Sequence, residues 1–425
     1  MNRNRYHMLN EEENPMHTTT ITPPPSLENL TIEDEPEIMS FEDLQLREEL
    51  LRGIFAYGFE KPSDIQKKAI VPFLQGKDLI AQSQSGTGKT ATYSISLLQS
   101  IDINNDNVQG IILCPTRELA QQITEVIQTL GCYMNDVKVL CCIGGIGRYV
   151  QREQLNDGSV KVVVGTPGRV LDLLTNNILS SKYIRHLIFD EADVMLNEKG
   201  KTDHRCTFQE QIQKILKIIS KDAQIAIYSA TLPDKVLDIA KHFMTNPVRI
   251  LMKKEMLTLE GIVQTYIEIG KNVQKNDVII DLFESYSLSQ TIIFCNSRQT
   301  AEEIFDLLTS HHLGCLVIHR DLTQQERSST VNDFKKQKAR ILVATDVMCR
   351  GIDIQQISMV INYDLPLNKE NYLHRIGRSG RFGRKGFAIN LVETREIPLL
   401  KDIENFYKTC IPHLVDQQLE KLHAL

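Results

Sequence analysis

Short apolar runs alternate with longer amphipathic stretches through the first half of the chain. Several of these runs lack polar alternation, which is typical of strands in a parallel sheet covered by helices on both faces. The predicted strands are Asp78–Ala81, Gly110–Cys114, Lys138–Cys142, Val160–Val164, His186–Phe189 and Gln224–Tyr228. Amphipathic stretches such as Glu118–Leu130 and Thr207–Ile219 lie between them. This half therefore predicts an α/β domain with a parallel sheet.

The same rhythm restarts after a charged connector and predicts a second α/β domain. Its predicted strands are Thr291–Cys295, Cys315–Ile318, Arg340–Ala344, Ser358–Tyr363 and Gly386–Val392. We divide the chain into a tail at 1–40, a first domain at 41–250, a linker at 251–261 and a second domain at 262–425. In sheets of this kind, ligands bind at the carboxyl ends of the strands.

The tail differs in composition from the rest of the chain. It holds eight acidic and two basic side chains, few apolar groups and the run Pro23-Pro24-Pro25, so we predict that it is disordered. Taking these from the chain totals of 54 acidic and 48 basic side chains leaves 46 of each. The net charge of −6 therefore does not exclude a nucleic-acid partner.

Cysteine usage and hydropathy bear on the compartment. Nine cysteines are scattered from Cys114 to Cys410 without a C-x-x-C pair, which is typical of reduced thiols in an intracellular protein. No apolar run approaches membrane-spanning length, and the polar N-terminus lacks a signal-peptide core. We predict a reducing compartment, cytoplasm or nucleus, and no membrane partner.

The stretch AQSQSGTGKT at Ala81–Thr90 follows an apolar strand and opens a helical run. A strand, a Gly-rich turn and a helix N-terminus make an anion site, in which the backbone N–H groups of residues 86–90 surround a phosphate. Lys89 would reach the β- and γ-phosphates, and the Thr90 hydroxyl would hold Mg²⁺. Ser83 stands where the motif G-x-x-x-x-G-K-[ST] has its first Gly. An ordinary Ser/Gly turn is the alternative, which the strand–turn–helix context disfavours.

Two further polar segments suggest nucleotide chemistry. Asp190-Glu191-Ala192-Asp193 follows the apolar strand Leu187–Phe189, and an acidic residue beside a phosphate loop can hold Mg²⁺ while its neighbour orients the attacking water. A surface acidic turn is the alternative, which the combination with Lys89 and Thr90 disfavours. The second domain has no phosphate loop but carries the basic turn His374–Arg381. We expect a nucleotide to be bound in the cleft between the domains.

These segments belong to an ordered series of motifs in which the chain resembles the DEAD-box RNA helicases. Within that family it is similar to the group around eukaryotic initiation factor 4A, including its nuclear exon-junction paralogue, from Phe41 to the C-terminus. The motifs are GFEKPSDIQ at Gly58–Gln66, SGTGKT at Ser85–Thr90, PTRELA at Pro115–Ala120, GG at Gly144–Gly145, TPGR at Thr166–Arg169, DEAD at Asp190–Asp193, SAT at Ser229–Thr231, IIFCNS at Ile292–Ser297, QQER at Gln324–Arg327, ATDVMCRGID at Ala344–Asp353 and HRIGRSGR at His374–Arg381. The resemblance implies two tandem RecA-like domains, with nucleotide and RNA sites in and across the cleft.

The resemblance implies an RNA-dependent ATPase that uses ATP and Mg²⁺. The implied nucleotide contacts are Phe59, Lys61, Gln66, Ser83, Gln84, Ser85, Gly86, Thr87, Gly88, Lys89, Thr90, Asp353, Arg378, Arg381 and Phe382. The implied catalytic residues are Lys89, Asp190, Glu191, Arg378 and Arg381, with Thr90 and Asp190 on the metal. Gln66 would select adenine, and Arg378 and Arg381 would act as arginine fingers once the domains close. Such fingers contribute about 10³–10⁵ in rate.

The resemblance also implies an RNA site across both domains, formed by groups that contact phosphates without identifying bases. The implied RNA contacts are Pro115, Thr116, Arg117, Gly145, Thr166, Arg169, Asn296, Arg327 and Thr345. Asp193, Ser229 and Thr231 would couple the acidic motif to domain closure. Closure in this family bends one strand and opens a short duplex locally. A monomer is expected, with a HEAT-repeat scaffold protein as an activator.

Three positions depart from the family pattern. Arg320 stands where the family usually has Gly, in a turn beside RNA, and Cys349 replaces the usual Ala. The segment between Leu196 and Phe208, around Lys201–Thr207, is longer than the family's, and surface loops accept such insertions at small cost. We expect Arg320 to add a phosphate contact, because a guanidinium group suits phosphate oxygens.

Three functions use these residues. The first, which we predict, is an ATP-dependent RNA helicase that couples ATP hydrolysis and domain closure to RNA binding and unwinds short duplexes. The second is an RNA clamp, in which slow or arrested hydrolysis makes the protein a scaffold component of a ribonucleoprotein. The third, an ATP-driven DNA translocase, is disfavoured by the Gln66 motif and the DEAD tetrad. The motifs do not separate the first two.

Overall fold

The computed structural model describes residues 38–84, 86–196, 206–251, 262–270, 274–286, 288, 290–346, 357–379 and 386–414. Most of the predicted tail and linker lies outside these residues. So do the longer segment at 197–205 and five individual residues to which sequence features were assigned: Ser85, Cys349, Asp353, Arg381 and Phe382. The described residues form two α/β units, each built on one parallel sheet.

The first sheet has the strand order β3-β4-β2-β5-β6-β1-β7, and every neighbouring pair is parallel. Its strands are β1 Leu79–Gln82, β2 Gly110–Leu113, β3 Lys138–Cys142, β4 Val160–Gly165, β5 His186–Asp190, β6 Gln224–Ser229 and β7 Val248–Ile250. The helices of this unit are α1 Glu48–Ala56, α2 Asp64–Leu74, α3 Lys89–Ser100, α4 Arg117–Leu130, α5 Arg148–Asn156, α6 Pro167–Thr175, α7 Ala192–Leu196, α8 Phe208–Ile218 and α9 Asp234–Ala240.

The second sheet has the order β10-β11-β9-β12-β13-β8 and is also entirely parallel. Its strands are β8 Ile262–Ile269, β9 Thr291–Cys295, β10 Cys315–Ile318, β11 Ile341–Thr345, β12 Met359–Asn362 and β13 Gly386–Glu393. The helices of this unit are α10 Lys275–Ser285, α11 Arg298–Ser310, α12 Gln324–Lys335, α13 Lys369–Ile376 and α14 Ile397–Tyr407.

All eleven predicted strands are present, each with ends within one residue of the prediction. Two strands were missed. The short β7 has half-buried and exposed positions, and β8 mixes buried, half-buried and exposed positions. Both lie at the outer edge of a sheet, where a strand has only one neighbour and its sequence need not be continuously apolar. The predicted fold class, two units with parallel sheets, is confirmed.

Strand alternation divides the core of the first unit into two layers. On β1, Leu79 and Ala81 pack in the layer that contains Tyr93 of α3, whereas Ile80 packs in the opposite layer with Phe189. Successive side chains of a strand point to opposite faces. Both faces of the sheet are therefore apolar, which leaves the strand ends as the place where polar residues collect.

Polar caps begin the helices directly after three of the strands. The Thr116 hydroxyl accepts a hydrogen bond from the Leu119 amide (3.2 Å) and caps α4. Ser297 caps α11 in the same way, and Thr323 forms a reciprocal capping box with Glu326 at the start of α12. These caps satisfy amides that have no partner within the helix. They also fix the turns at the carboxyl edges of both sheets.

We predict that Gly53→Ala destabilises the first unit by about 1–3 kcal/mol, the range found for overpacked cores. A Cβ built at Gly53 on α1 would lie 1.9 Å from the carbonyl oxygen of Leu130 at the end of α4, so one of the two helices must shift. Urea denaturation measures the change. Gly314→Ala is the matched control, because its Cβ would meet no heavy atom of the described residues within 4 Å. Equal stability of the two variants would contradict this account of the helix contact.

Candidate functional site

The predicted phosphate loop joins β1 to α3. Gly86 and Gly88 have φ of +83° and +97°, which L side chains rarely adopt, so the turn requires glycine at both positions. The α3 helix begins at Lys89, within the predicted loop stretch Ala81–Thr90, with Gly88 as its N-cap. Lys89 Nζ donates to the carbonyl oxygens of Ser83 (2.6 Å) and Gln84 (2.7 Å). The loop therefore curves around the buried ammonium group, beside the helix N-terminus.

Gln66 lies behind this loop. It is only 2% exposed, and its Oε1 accepts a hydrogen bond from the Ser63 amide at 2.7 Å. A Cβ at Gly88 would stand 3.1 Å from Gln66 Nε2, so the amide packs against the loop. Nearby, the half-buried Phe59 stacks on Tyr57 with 4.9 Å between ring centroids, whereas Lys61 is exposed.

Asp190 is the last residue of β5 and is buried beside the loop. Its Oδ1 accepts from the Glu191 amide (3.0 Å), and its Oδ2 accepts from the Tyr93 hydroxyl (2.8 Å). Burial and the negative charge of Glu191 raise the pKa of Asp190 to about 7, against the opposing effects of Lys89 and Tyr93. The carboxyl group is thus held in place in an environment that disfavours its charge.

Glu191 has a left-handed backbone, with φ of +53°. Such a conformation is unusual for glutamate and is often found at functional sites. The side chain is 7% exposed, and its Oε2 is buried without a hydrogen-bond partner among the described residues. A buried acceptor of this kind needs a donor, such as a water molecule or a ligand.

Asp193 connects the first unit to the second. Its Oδ1 accepts from the Ser229 hydroxyl (2.8 Å), and its Oδ2 accepts from the Thr231 hydroxyl (2.6 Å). His374 of α13 places Nε2 3.2 Å from the same Oδ2. The three residues predicted to couple the acidic motif to closure are therefore brought together, and a fourth residue from the second unit joins them.

His374 was not among the predicted site residues, although it begins the HRIGRSGR motif. Its ring is completely buried, with Nε2 facing Asp193 and Nδ1 3.8 Å from Glu191 Oε2. Glu191, Asp193 and His374 bring three potential metal-ligand atoms within 4.8 Å of one another. The two carboxylates face different ring nitrogens, whose lone pairs diverge, so the histidine fits a bridge between two acids better than a ligand of one ion.

Arg375, the next residue, is also fully buried and organises the turns of the second unit. Its Nε donates to Asp346 (2.6 Å), and its two terminal nitrogens donate to Asn296 Oδ1 (2.8 Å) and the Asp364 carbonyl (2.7 Å). A guanidinium group suits this role because it presents several donors in one rigid plane. Arg375 thereby fixes the turn that carries Asn296 and the one that follows Thr345.

Arg378, a predicted arginine finger, lies in the turn after α13. It is 4% exposed, and its Nε donates to the His374 carbonyl at 3.2 Å. The predicted partner finger Arg381 lies outside the described residues, as do Ser85, Asp353 and Phe382. The nucleotide-site roles assigned to Arg378 and to these four undescribed residues stay predictions.

The predicted RNA contacts collect at the carboxyl edges of the two sheets. Each follows or ends a strand, or lies in the turn and helix start that come next; they are Pro115, Thr116, Arg117, Gly145, Thr166, Arg169, Asn296 and Thr345. Gly145 has φ of +96°, and Arg169 donates to the Ile146 carbonyl (2.8 Å) and to Gln151 (2.6 Å). Amides, hydroxyls and guanidinium groups of this kind can bind a phosphate backbone.

A polar cluster joins the units at this edge. Gln324 of α12 donates to Glu118 (3.0 Å) and accepts from Arg327 (3.0 Å) and Arg117 (3.4 Å). Arg327 also lies 3.4 Å from Glu118, and both side chains are largely buried. Two predicted RNA contacts, Arg117 and Arg327, are therefore part of the contact between the units.

Comparisons with known proteins show which family the chain belongs to. The family model described as "DEAD/DEAH box helicase" matches residues 63–239, and "Helicase conserved C-terminal domain" matches residues 274–383. The ATP-dependent RNA helicase eIF4A of Kluyveromyces lactis is 49% identical over 377 residues, covering 89% of this chain and 93% of the relative. The chain belongs to the DEAD-box helicases.

Solved structures support the assignment and bear on the arrangement of the units. S. cerevisiae Dbp5 bound to RNA and ADP BeF3 matches with a TM-score of 0.82 at 34% identity, covering 90% of this chain and 97% of that one. A variant of the same protein bound to nup159, a gle1 variant, ip6 and ADP matches at 0.62, with 32% identity and coverage of 89% and 98%. The helicase described here thus resembles the RNA-bound form more closely than the second form.

Four predictions are confirmed by this family membership. They are the resemblance to the initiation factor 4A group, the tandem RecA-like fold, the ATPase and the ATP-dependent RNA helicase activity. Eight of the nine cysteines lie in the described residues, and all eight are free thiols. No helix among the described residues is long and apolar enough to cross a membrane.

We predict that Asp190→Asn makes the nucleotide-free helicase more stable relative to the parent as pH rises from about 5 to 8. The pKa of Asp190 is raised to about 7 in the folded protein, against about 3.9 for an aspartate in an unfolded chain, so the folded state holds a proton that the unfolded state has released. Stability from this proton is present at low pH and is lost as pH rises through 7.

Urea unfolding in EDTA across this pH range measures the difference. Asp157→Asn is the control, because Lys138 and Ser159 lower the pKa of that exposed carboxylate and both states are ionised throughout the window. A pH trend shared by the two variants would contradict the assignment to the buried site.

Proposed function

We propose that this helicase hydrolyses ATP only when its two units are joined through the acidic motif, and that RNA bound across both units favours this joining. The observation that supports the proposal most directly is the position of Asp193, whose carboxylate contacts Ser229, Thr231 and His374 at once. A group that links the nucleotide side to the second unit makes chemistry dependent on closure.

ATP would be bound by the phosphate loop, with Gln66 and Phe59 at the adenine. Mg²⁺ would be held by Asp190 and Thr90 and would neutralise charge that develops on the phosphates. The donor set fits, because Mg²⁺ prefers oxygen ligands and Asp190 offers a buried carboxylate whose orientation two hydrogen bonds define. Lys89, within the same loop, would provide the adjacent positive charge.

Glu191 would orient the water that attacks the γ-phosphate. Its Oε2 is buried and lacks a partner among the described residues, so the water would supply the missing donor. Its backbone is left-handed, and its Oε2 lies 3.8 Å from His374 Nδ1. His374 would then hold Glu191 and Asp193 in register only when the second unit is in place.

Arg378 and Arg381 would complete the site on closure as arginine fingers. RNA would bind across the carboxyl edges through Thr116, Arg169, Asn296 and their neighbours, by its backbone and without sequence preference. The strand would be bent as the units close, opening a short duplex locally. A monomer in a reducing intracellular compartment is proposed, with a HEAT-repeat scaffold protein as activator.

An ATP-locked RNA clamp is the second proposal. It is favoured by the extent of the contact between units, which includes the largely buried Glu118–Arg327 pair as well as His374. Turnover of ATP with RNA and with a short duplex distinguishes the two. Rapid turnover with strand separation supports the helicase cycle, and a long-lived ATP–RNA complex with little turnover supports the clamp.

We predict that Glu191→Gln keeps ATP-dependent RNA binding but lowers hydrolysis at least about 100-fold, as removal of an acid–base catalyst does. Binding would use Lys89 and the metal, which the substitution leaves intact. RNA affinity with and without ATP, together with phosphate release, measures the two effects. Lys89→Ala is the comparison variant and should lose both. If RNA binding by Glu191→Gln does not respond to ATP, the proposed division between binding by Lys89 and chemistry by Glu191 is wrong.

We predict that Arg320→Gly flattens the salt dependence of RNA binding by about 0.7 in log–log slope, the value for one phosphate on a single strand. Arg320 follows β10 at the carboxyl edge, and its side chain is 77% exposed and lies 3.4 Å from the neighbouring Asp321. Affinity with a non-hydrolysable ATP analogue over a salt series measures the slope.

Arg340→Gly provides a matched control for the lost charge. Arg340 is exposed but precedes β11, at the opposite edge of the same sheet, so its removal should leave the slope unchanged. Unchanged binding by Arg320→Gly would mean that the guanidinium group faces away from RNA. Tighter binding would mean that it obstructs the groove.

A further inference from the structure

Two tyrosines lie side by side beneath the Asp190 carboxylate. Tyr93 of α3 and Tyr228 of β6 are both completely buried, and their ring centroids are 5.1 Å apart. Tyr228 is the register partner of Asp190 on the neighbouring strand. Of the two tyrosines, Tyr93 makes a hydrogen bond to the carboxylate, at 2.8 Å from Oδ2. The Tyr228 hydroxyl has no hydrogen-bond partner among the described residues.

We propose that Tyr93 is a positioning residue that orients the Asp190 carboxylate toward Mg²⁺, whereas Tyr228 only fills space. This inference rests on the proposed function, which gives Asp190 the metal. It assigns a role to a residue outside the predicted motif positions, and the two tyrosines provide a natural comparison within one site.

The aspartate side chain does not by itself set the orientation of its carboxylate, because the terminal torsion angle of aspartate has a broad distribution. In this site each oxygen receives one hydrogen bond, from the Glu191 amide on Oδ1 and from Tyr93 on Oδ2. Two donors on two oxygens fix the carboxylate plane and leave a further lone pair on each oxygen. Outer partners of this type orient metal ligands and tune their affinity.

Tyr93 also connects the two predicted metal ligands. It lies on α3 three residues after Thr90, so the two side chains occupy the same face of the helix one turn apart. Its hydrogen bond crosses from this helix to the end of β5. The helix that carries the phosphate loop lysine is therefore tied to the acidic strand end by a single rigid side chain, which fixes the separation of Thr90 and Asp190.

Burial alone does not explain the hydrogen bond from Tyr93 to Asp190. Tyr228, equally buried and in contact with Tyr93, keeps its hydroxyl without a partner among the described residues, so this layer accommodates such a group. A tyrosine hydroxyl has an ordinary pKa of about 10 and is a hydrogen-bond donor at neutral pH, so Tyr93 donates to the carboxylate.

The experiment compares Tyr93→Phe with Tyr228→Phe in the full chain. The probe is N-methylanthraniloyl-ADP, whose equilibrium binding is measured by fluorescence in EDTA and over a Mg²⁺ titration. Tyr93→Phe should leave affinity in EDTA within about twofold and raise the half-saturating Mg²⁺ concentration about tenfold, as for other partners of metal ligands. Tyr228→Phe should change neither value. Each variant loses only one oxygen, so both should fold, and thermal unfolding verifies this.

Two results would overturn the inference. Equal Mg²⁺ dependence of the two variants would make Tyr93 a packing residue like Tyr228. A loss of affinity by Tyr93→Phe that is as large in EDTA as in Mg²⁺ would place its effect on the phosphate loop. Asp190→Ala is the control for the proposed metal site. If Asp190 holds Mg²⁺, this variant should lose the gain in nucleotide affinity that Mg²⁺ gives. A gain that persists in Asp190→Ala would refute the metal assignment itself and the role of Tyr93 with it.

Discussion

The burial of three carboxyl groups at the carboxyl edge of one sheet is the constraint on which the rest of this structure depends. Burial disfavours the charge of each group, and the groups also repel one another. Asp190 accepts a hydrogen bond from Tyr93 on α3, and Asp193 accepts from Ser229 and Thr231 after β6. Glu191 has His374 of the second unit 3.8 Å away, beyond hydrogen-bond distance. The apolar sheet holds the acids in place but cannot satisfy their hydrogen-bonding capacity. Neighbouring elements must therefore supply the donors.

This requirement supports the proposal that both units take part in one reaction. The first unit contains the phosphate loop and all three acids, yet Glu191 keeps a buried oxygen without a partner among the described residues. The second unit contributes His374 to the acids and, through Arg375, fixes the turns of its own edge. An adjacent Gln324–Glu118 contact closes the same edge. Contacts that stabilise closure and contacts predicted for RNA therefore share residues, such as Arg117 and Arg327, so RNA binding and closure can influence each other's free energy.

Most of the fold could be predicted from the sequence, because a sheet buried on both faces leaves continuous apolar runs. The runs end where the chain turns polar, and those turns contain most of the predicted site residues. The edge strands β7 and β8 could not be found this way, since a half-buried edge permits polar side chains. His374 and Tyr93 were missed for a different reason. Each lies on a helix whose pattern indicates only a buried face, and nothing in that pattern tells which distant acid the side chain will contact. The HRIGRSGR motif was the one available signal for His374; Tyr93 had none.

The two tyrosines illustrate why a buried polar atom must be judged by its partner. Tyr93 and Tyr228 share burial, contact and residue type, yet only one hydroxyl lies within hydrogen-bond distance of Asp190. A purely structural requirement would apply to both, because an unpaired buried hydroxyl is unfavourable in either position. The asymmetry instead follows from location. Tyr93 belongs to the helix that begins at the phosphate loop, whereas Tyr228 belongs to the strand beside the acid, and only a link from the helix can hold the loop and the carboxylate at a fixed separation.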